Sequence, residues 1–517
     1  VNDNEDDSLT LILNDVGRRN VSQGRPDDGV AVIATDIENL TIVAQGQQNY
    51  IDLLPLADTK SITIGGEGEL DTLTFNNAFN NGTGGDQTPF TSLSSVNASA
   101  ALGDLTLALY SQTMMNSLRA GFGNDIIAAG NNIRSSTFLD GGDGEDILML
   151  SGIDDVAGTP NATLTPDMRG FETLDLGLES SVATFTLSLS NTEGLQTVQV
   201  SNSNGIDGDA GAVTSTTIRD RGGEVLNLDF RELAGQTYNG NDNFTVQDSG
   251  ELTISTISGN NNSSGSFADN VTAVAAPHVN LVIGADTTYS GIVTANAADS
   301  ASIQIDAGGA IDSATLSVTS AETIAINGAT DTEILGLSLL AENVTDLNVS
   351  GSAVINGLGD SSLNSIESIA STSLGGMDLT FTPATGAQAG IGAFSQTVNV
   401  DAESAVVATA AGLGLNVDIA AFLTGNGAAD ITGSSVLDNQ ISAGTGRNQI
   451  TVVTGSGDDR VTLNEQFEAN DGANINLDLG NGVVDTLVLT AASNNIESLT
   501  LSGVEFIESD PANGSLA

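Results

Sequence analysis

The feature that most narrows what this chain can fold into is a recurring short run of alternating polar and apolar residues. It is seen in LTLILNDV (9–16), NLTIVAQG (39–46), ATFTLSLSN (183–191), QTVQVSNS (196–203), ATLSVTSA (314–321) and NLDLGNG (476–482). Alternation with period two sends neighbouring side chains to opposite faces of a strand. Gly, Asn, Asp and Ser bound each run, which is the strand-and-turn pattern. Apolar residues at i, i+3, i+4 and i+7 are scarce, so helices are not expected. Thr and Ser fill the outward positions where Lys or Glu would be usual. The chain is expected to be all-β.

A second recurrence lies on top of the first. An acidic residue precedes an alternating run in IENLTI (37–42), FETLDL (171–176), AETIAI (321–326), IESIA (366–370) and IESLTL (496–501). Self-similarity at irregular spacing points to stacked β-coils with variable insertions; a Glu that simply opens an exposed strand gives the same pattern. The fold class expected is therefore a parallel β-solenoid with β-roll-like segments, stacked β modules and loop excursions. Residues 17–29, 76–90, 202–224 and 258–266 are rich in loop-forming residues. Along this body the divisions read as an N-terminal β module (1–118), glycine–aspartate turns (119–150), a repetitive β body (151–420), a degenerate roll (421–465) and a C-terminal β segment (466–517).

The net charge of −54 comes from 66 acidic residues set against only 12 basic ones, with Lys60 the single lysine. Charged residues are 15% of the chain, below the roughly 25% usual in globular proteins. The acidity thus reflects missing basic residues. Nucleic acid and anionic lipid both need clustered Lys and Arg, so neither is an expected partner. Divalent cations are, because they offset carboxylates that repel one another. With no cysteine, disulfides and thiolate metal sites are excluded. The longest mostly apolar stretch, Ser404 to Val417, contains three glycines and is too short to span a bilayer, so no membrane insertion is expected. The chain opens on Val1, read here as a processed or trimmed start with no signal peptide left.

The chemistry concentrates in Gly141-Gly142-Asp143-Gly144-Glu145-Asp146-Ile147-Leu148-Met149, which follows Leu139-Asp140. It matches G-G-x-G-x-D-x-U-x, the nonapeptide of calcium-binding β-rolls. Glycines reach positive φ and make a tight turn with inward carbonyls, and the Asp completes an all-oxygen shell suited to a hard cation. Such an ion sits between neighbouring turns, so one copy is half a site. Gly121-Phe122-Gly123-Asn124-Asp125-Ile126 is a near match, its Asp 21 residues before Asp146, or about two nonapeptide turns and a loop. A second cluster, 424–463, places apolar anchors at Ile431, Ile441, Ile450 and Val461, spaced 10, 9 and 11 apart. Asp430, Asn439, Asn448 and Asp459 stand at or beside its Asp position, and Gly455-Ser456-Gly457-Asp458-Asp459 is its cleanest copy. Variants with one extra residue end in Asp71 (65–73) and Asp485 (480–487). The candidate metal ligands are thus Gly121, Gly123, Asp125, Asp140, Gly142, Asp143, Gly144, Asp146, Asp71, Asp430, Gly455, Gly457, Asp458, Asp459 and Asp485, with Ca2+ the expected ion. The competing reading is Gly–Asp turn chemistry closing hairpins without metal.

These motifs resemble the RTX family of Gram-negative proteins exported by type I secretion. The low Lys, absent Cys and Thr/Ser/Ala/Val-rich body are similar to its surface-layer branch. The resemblance implies a secreted, extracellular protein at the cell surface. It further implies calcium-dependent assembly with copies of itself into a lattice or filament, anchored by lipopolysaccharide or another surface glycan. The motif blocks are short and degenerate, unlike a long uninterrupted array, which favours scattered structural sites.

Catalysis is not expected. His278 is the single histidine, so H-E-x-x-H zinc chemistry is impossible, and no G-x-S-x-G elbow is present. A carboxylate-pair glycosidase would want aromatic sugar platforms, but the chain has no Trp and four Tyr. Lys60 follows Thr59, so no phosphate-binding G-K pair exists. The functional expectation is a secreted, calcium-stabilised structural protein that self-assembles. The alternatives are a calcium-dependent adhesin and a halophile protein whose acidity is solvent adaptation.

Overall fold

The computed structural model describes residues 6–17, 19–20, 25–26, 30–32, 36–53, 58–71, 92–109, 115–129, 133–151, 161–177, 184–202, 215–219, 225–232, 242–247, 249–258, 265–329, 332–351, 474–480, 483–489 and 498–509, and between 354 and 463 the strands alone. Every regular element among them is a β-strand. The chain is a parallel β-solenoid, as the alternating runs lead one to expect. It divides into two compact units, Val1–Asn262 and Ser263–Ala517.

The glycine–aspartate turns do not close hairpins. They are corners between sheets, so a strand meets its next sheet neighbour only after a full circuit, and the two run the same way. The one antiparallel pair among the described residues is Arg19–Asn20 with Arg25–Pro26. A single circuit cannot bury its inner face, whereas stacked circuits share one.

In the first unit, one sheet runs from Ser8–Asn14 through Asn39–Gln45, Ser61–Gly66, Ser95–Ala101, Ser117–Arg119, Phe138–Asp140 and Asp167–Arg169 to Thr192–Glu193. A second passes through Leu105–Ala108, Ile126–Ala128, Ile147–Ser151, Thr173–Gly177, Thr197–Asn202, Val225–Glu232 and Glu251–Ile257. A third face opens at Asn161–Leu164 and continues in Thr184–Ser188, Ser215–Arg219 and Asn243–Gln247. Two-sided circuits thus become three-sided part way along the unit. Inward residues stack in columns, such as Leu40, Ile62, Val96, Leu118, Leu139 and Met168, each at most 2% exposed. Burying one such side chain stabilises the fold by about 1.5–3 kcal/mol. Phe230 and Phe244, from the second and third sheets, meet edge-on with ring centroids 5.2 Å apart.

In the second unit, Val279, Ala301, Ile324 and Leu347 stand in register, setting a circuit of 22 to 23 residues. Its first circuits are three-sided, for example Thr287–Tyr289, Ile292–Thr294 and Ser300–Ile305. Further on, two sheets alternate. Ile431 and Ile450 lie in one, and Ile441 and Val461 in the other. Each step of nine to eleven residues between these anchors is therefore half a circuit.

Candidate functional site

The candidate site is the corner between the first two sheets of the first unit, where three successive turns lie directly above one another. Residues 101–105 lead from Ser95–Ala101 to Leu105–Ala108, 120–125 from Ser117–Arg119 to Ile126–Ala128, and 141–146 from Phe138–Asp140 to Ile147–Ser151. Ile126 pairs with Ile147, so the 21-residue step from Asp125 to Asp146 is one full circuit. The sequence pairing of these two turns is realised in the fold.

Glycine is required here because backbone packs on backbone. Gly142 has φ +100, and an added Cβ would lie 1.9 Å from the Gly121 carbonyl oxygen. Gly144 has φ +147, with the Gly123 oxygen 2.2 Å from that position. A side chain is both conformationally strained and sterically blocked at these two sites.

The acidic side chains of the corner are spent on backbone amides of their own and the preceding circuit. Asp125 accepts the Leu105 amide through Oδ1 at 2.8 Å and the Gly121 amide through Oδ2 at 2.8 Å. The Asp125 amide donates to Asp146 Oδ1 at 2.7 Å, and the Asp146 amide to Glu172 Oε2 at 2.8 Å. One residue earlier a second column runs the other way. The Asn124 amide donates to Asp104 Oδ1 and the Glu145 amide to Asn124 Oδ1. Peptide N–H groups that the corner would strand are thereby satisfied by side chains from the same and the neighbouring circuits.

The Glu of FETLDL therefore has a defined task, and it recurs. Asp7 donates its amide to Glu38 Oε2 at 2.9 Å, and Asp485 donates to Glu505 Oε2 at 3.0 Å. In all three pairs the Asp carbonyl also accepts the amides of the Glu and of the residue after it. The result is a three-bond clasp between circuits, present in both units. Glu38 and Glu172 were visible in the sequence as acidic residues opening a strand, and Glu505 lay outside the runs noted; the partners, 20 to 31 residues away, were not visible.

Electrostatically the corner is uncompensated. Asp125, Asp146 and Asp485 are fully buried. Burial pushes the Asp125 carboxyl up from 3.8 to about 6, against the two amides that favour its charge. Burial raises Asp146 to about 7, with the Asp125, Glu172 and Asp104 carboxylates adding to the rise. Asp146 Oδ2 is buried with no hydrogen-bond partner.

The corner leaves one carboxylate oxygen without a partner, Asp146 Oδ2. Both Asp125 oxygens are already committed to amides. Asp146 offers a buried, unpartnered oxygen among like charges, the donor a hard cation takes. Among the described residues no three acidic or histidine side chains converge as a ready cation shell.

The other sequence candidates fall elsewhere. Asp140 leaves the corner on an outward face and pairs with Arg169 at 2.8 Å. Asp143 is exposed, its amide on the Gly121 oxygen at 3.1 Å. Asp71 lies inside a strand in register with Thr106, whose next neighbour is Ile126. Its Asp stands one position past the corner. Asp430 is also within a strand, in register with Val407 and Thr451. Asp485 occupies a true corner, in the clasp described above. Gly455, Gly457, Asp458 and Asp459 lie outside the described residues.

His278 has a contact that the sequence did not disclose, with Nδ1 2.8 Å from Ser300 Oγ. The two are register neighbours on an outward sheet face, and His278 is exposed. The arrangement is a cross-strand hydrogen bond.

The class that fold and site define is a parallel β-solenoid whose corners are closed by carboxylate–amide ladders. No protein-family model, curated protein or solved structure matches the chain.

Proposed function

We propose that this chain is a secreted structural protein of the bacterial cell surface, stabilised by calcium and assembling with copies of itself. The observation that carries the calcium part is Asp146, whose Oδ2 is buried, unpartnered and flanked by carboxylates. In this reading Asp146 holds the ion, with Glu172 on the next circuit adding negative charge. The ion supplies the missing counter-charge; the clasp and ladders hold the backbone whether or not it is bound. A regular body faced with Thr, Ser and Asn suits close packing between copies.

The experiment is thermal melting of the full chain in calcium and in chelator, for the native sequence and for Asp146→Asn. Saturating calcium at about 100 times its Kd contributes about 2.7 kcal/mol, a shift of several degrees. The expected result is an upward shift in the native chain that is much reduced in the variant. An identical melting temperature in calcium and chelator overturns the proposal. Electron microscopy of the calcium sample reads assembly: ordered sheets or fibres are expected, and dispersed single particles count against it.

A further inference from the structure

The second sheet of the first unit carries a buried polar cluster that the corner does not use. In Thr173–Gly177 and Thr197–Asn202 the buried apolar residues Leu174, Leu176, Val198 and Val200 face the core, so Asp175, Gln199 and Ser201 belong to the opposite face. Asp175 and Ser201 are nevertheless 0% exposed, and Gln199 is 6% exposed. Asp175 stands in register with Gln199, and Ser201 with Arg231 on the following circuit.

The contacts inside this cluster are those an acyl transfer needs. Ser201 Oγ donates to Asp175 Oδ2 at 2.7 Å, and Gln199 Nε2 donates to the same oxygen at 2.9 Å. Gln199 Nε2 also donates to Ser201 Oγ at 2.8 Å, so the hydroxyl adjoins the carboxamide. Arg231 Nη1 donates to Gln199 Oε1 at 3.3 Å, and the Ser201 amide holds Asp175 Oδ1 at 3.2 Å. Burial raises the Asp175 carboxyl to about 6, against the donors from Ser201 and Gln199 and the Arg231 charge. A nucleophile bonded to a base, an amide beside both, and a cation on the amide oxygen thus stand together.

We propose that the chain joins Ser201 to Gln199 by an ester bond, with Asp175 serving first as general base and then as general acid. The Gln199 carboxamide turns about Cγ–Cδ, a torsion with broad minima, to present its face to Ser201 Oγ. Asp175 takes the Oγ proton as Oγ bonds to Gln199 Cδ. The carbonyl electron pair moves onto Oε1, where Arg231 offsets the charge. Asp175 then passes the proton to Nε2, the Cδ–Nε2 bond breaks with its electron pair on nitrogen, and the carbonyl re-forms. One ammonia leaves, Asp175 ends as it began, nothing is oxidised or reduced, and no other reactant is consumed. Each chain reacts once and on itself. Full burial of Ser201 and Asp175 keeps water from the ester, and ammonia lost to solvent does not return. The ring closed through Val200 holds that stretch extended and removes freedom from the unfolded chain. Neither calcium nor assembly enters the reaction.

The test is mass spectrometry of the full-length chain, folded in calcium, incubated at neutral pH, then denatured and digested. The native peptide spanning 199–201 is expected to be lighter than its sequence by one ammonia. Hydroxylamine is expected to convert residue 199 into a hydroxamate and free Ser201. Ser201→Ala removes the nucleophile, and the near-isosteric Gln199→Glu has no ammonia to lose, so both are expected at full mass over this peptide. Asp175→Asn is expected to slow the loss about 10²–10⁴-fold, the usual contribution of a general acid–base group. Circular dichroism checks that each variant is folded. A folded native chain whose 199–201 peptide keeps its full mass overturns the proposal, and that readout stands where a variant fails to fold. Ammonia loss from this peptide that survives in Ser201→Ala overturns it, as does loss at the native rate in folded Asp175→Asn. Residue 199 recovered as glutamate beside a free Ser201 overturns it too, since the ester would then not persist.

Discussion

Replacing Asp125 by Ala separates a metal-held corner from one held by amides. The substitution strands two buried N–H groups, those of Leu105 and Gly121. Each unsatisfied buried amide costs about 1–3 kcal/mol, so the pair costs roughly 2–6 kcal/mol. It also removes a carboxyl that burial has pushed up from 3.8 to about 6. A raised folded-state value means that the fold favours the protonated acid. The associated stability is fully present below pH 4 and is lost as pH rises through about 6, a loss of about 3 kcal/mol. The native chain bears that loss and the variant does not. Asp125→Ala is therefore expected to destabilise most near pH 4 and about 3 kcal/mol less by pH 8. The assay is denaturant unfolding followed by far-ultraviolet circular dichroism in chelator, with hydrogen exchange of the Leu105 and Gly121 amides as the local readout. A penalty that grows with pH would refute this reasoning, since it would mean that Asp125 is charged and compensated in the fold, as a bound cation would make it.

Two other expectations concern the same corners. Gly142→Ala places a methyl on the Gly121 carbonyl at positive φ and is expected to lower the melting temperature by many degrees. Gly194→Ala, where φ is +88 but the nearest neighbouring atom is 3.7 Å away, carries backbone strain alone, about 1–2 kcal/mol; equal losses in the two variants would count against the packing argument. Glu172→Ala removes the acceptor for the amide of fully buried Asp146 and is expected to cost about 1.5–3 kcal/mol by denaturant unfolding. Glu38→Ala, whose partner Asp7 is only half-buried, is expected to cost less, and the reverse order would show that the clasp is not the source of stability.

Much of the architecture is written locally. Period-two alternation in a run such as NLTIVAQ makes a strand wherever it sits, because side chains on a pleated backbone alternate sides. Glycine at 142 and 144 marks a corner, since only glycine tolerates that backbone so close to another. The Glu of FETLDL and its relatives was legible as a pattern for the same reason: corners recur, and so does what caps them. Other things were beyond local reading. The 21 residues from Asp125 to Asp146 measure one circuit, but no short-range rule says which strand lies beneath which.

The sequence by itself determined an all-β chain with glycine–acid corners and too few cations to balance its charge. Only the tertiary structure decided what those acids do. Asp71 and Asp146 end similar motifs, yet one residue of register puts the first inside a strand and the second in a buried corner. Asp125 and Asp146 share a motif position as well. The first has both oxygens on amides of its own and the preceding circuit, whereas the second keeps one oxygen bare. The physical reason is that a carboxylate's role depends on the donors that surround it, and here those donors arrive from circuits about twenty residues away.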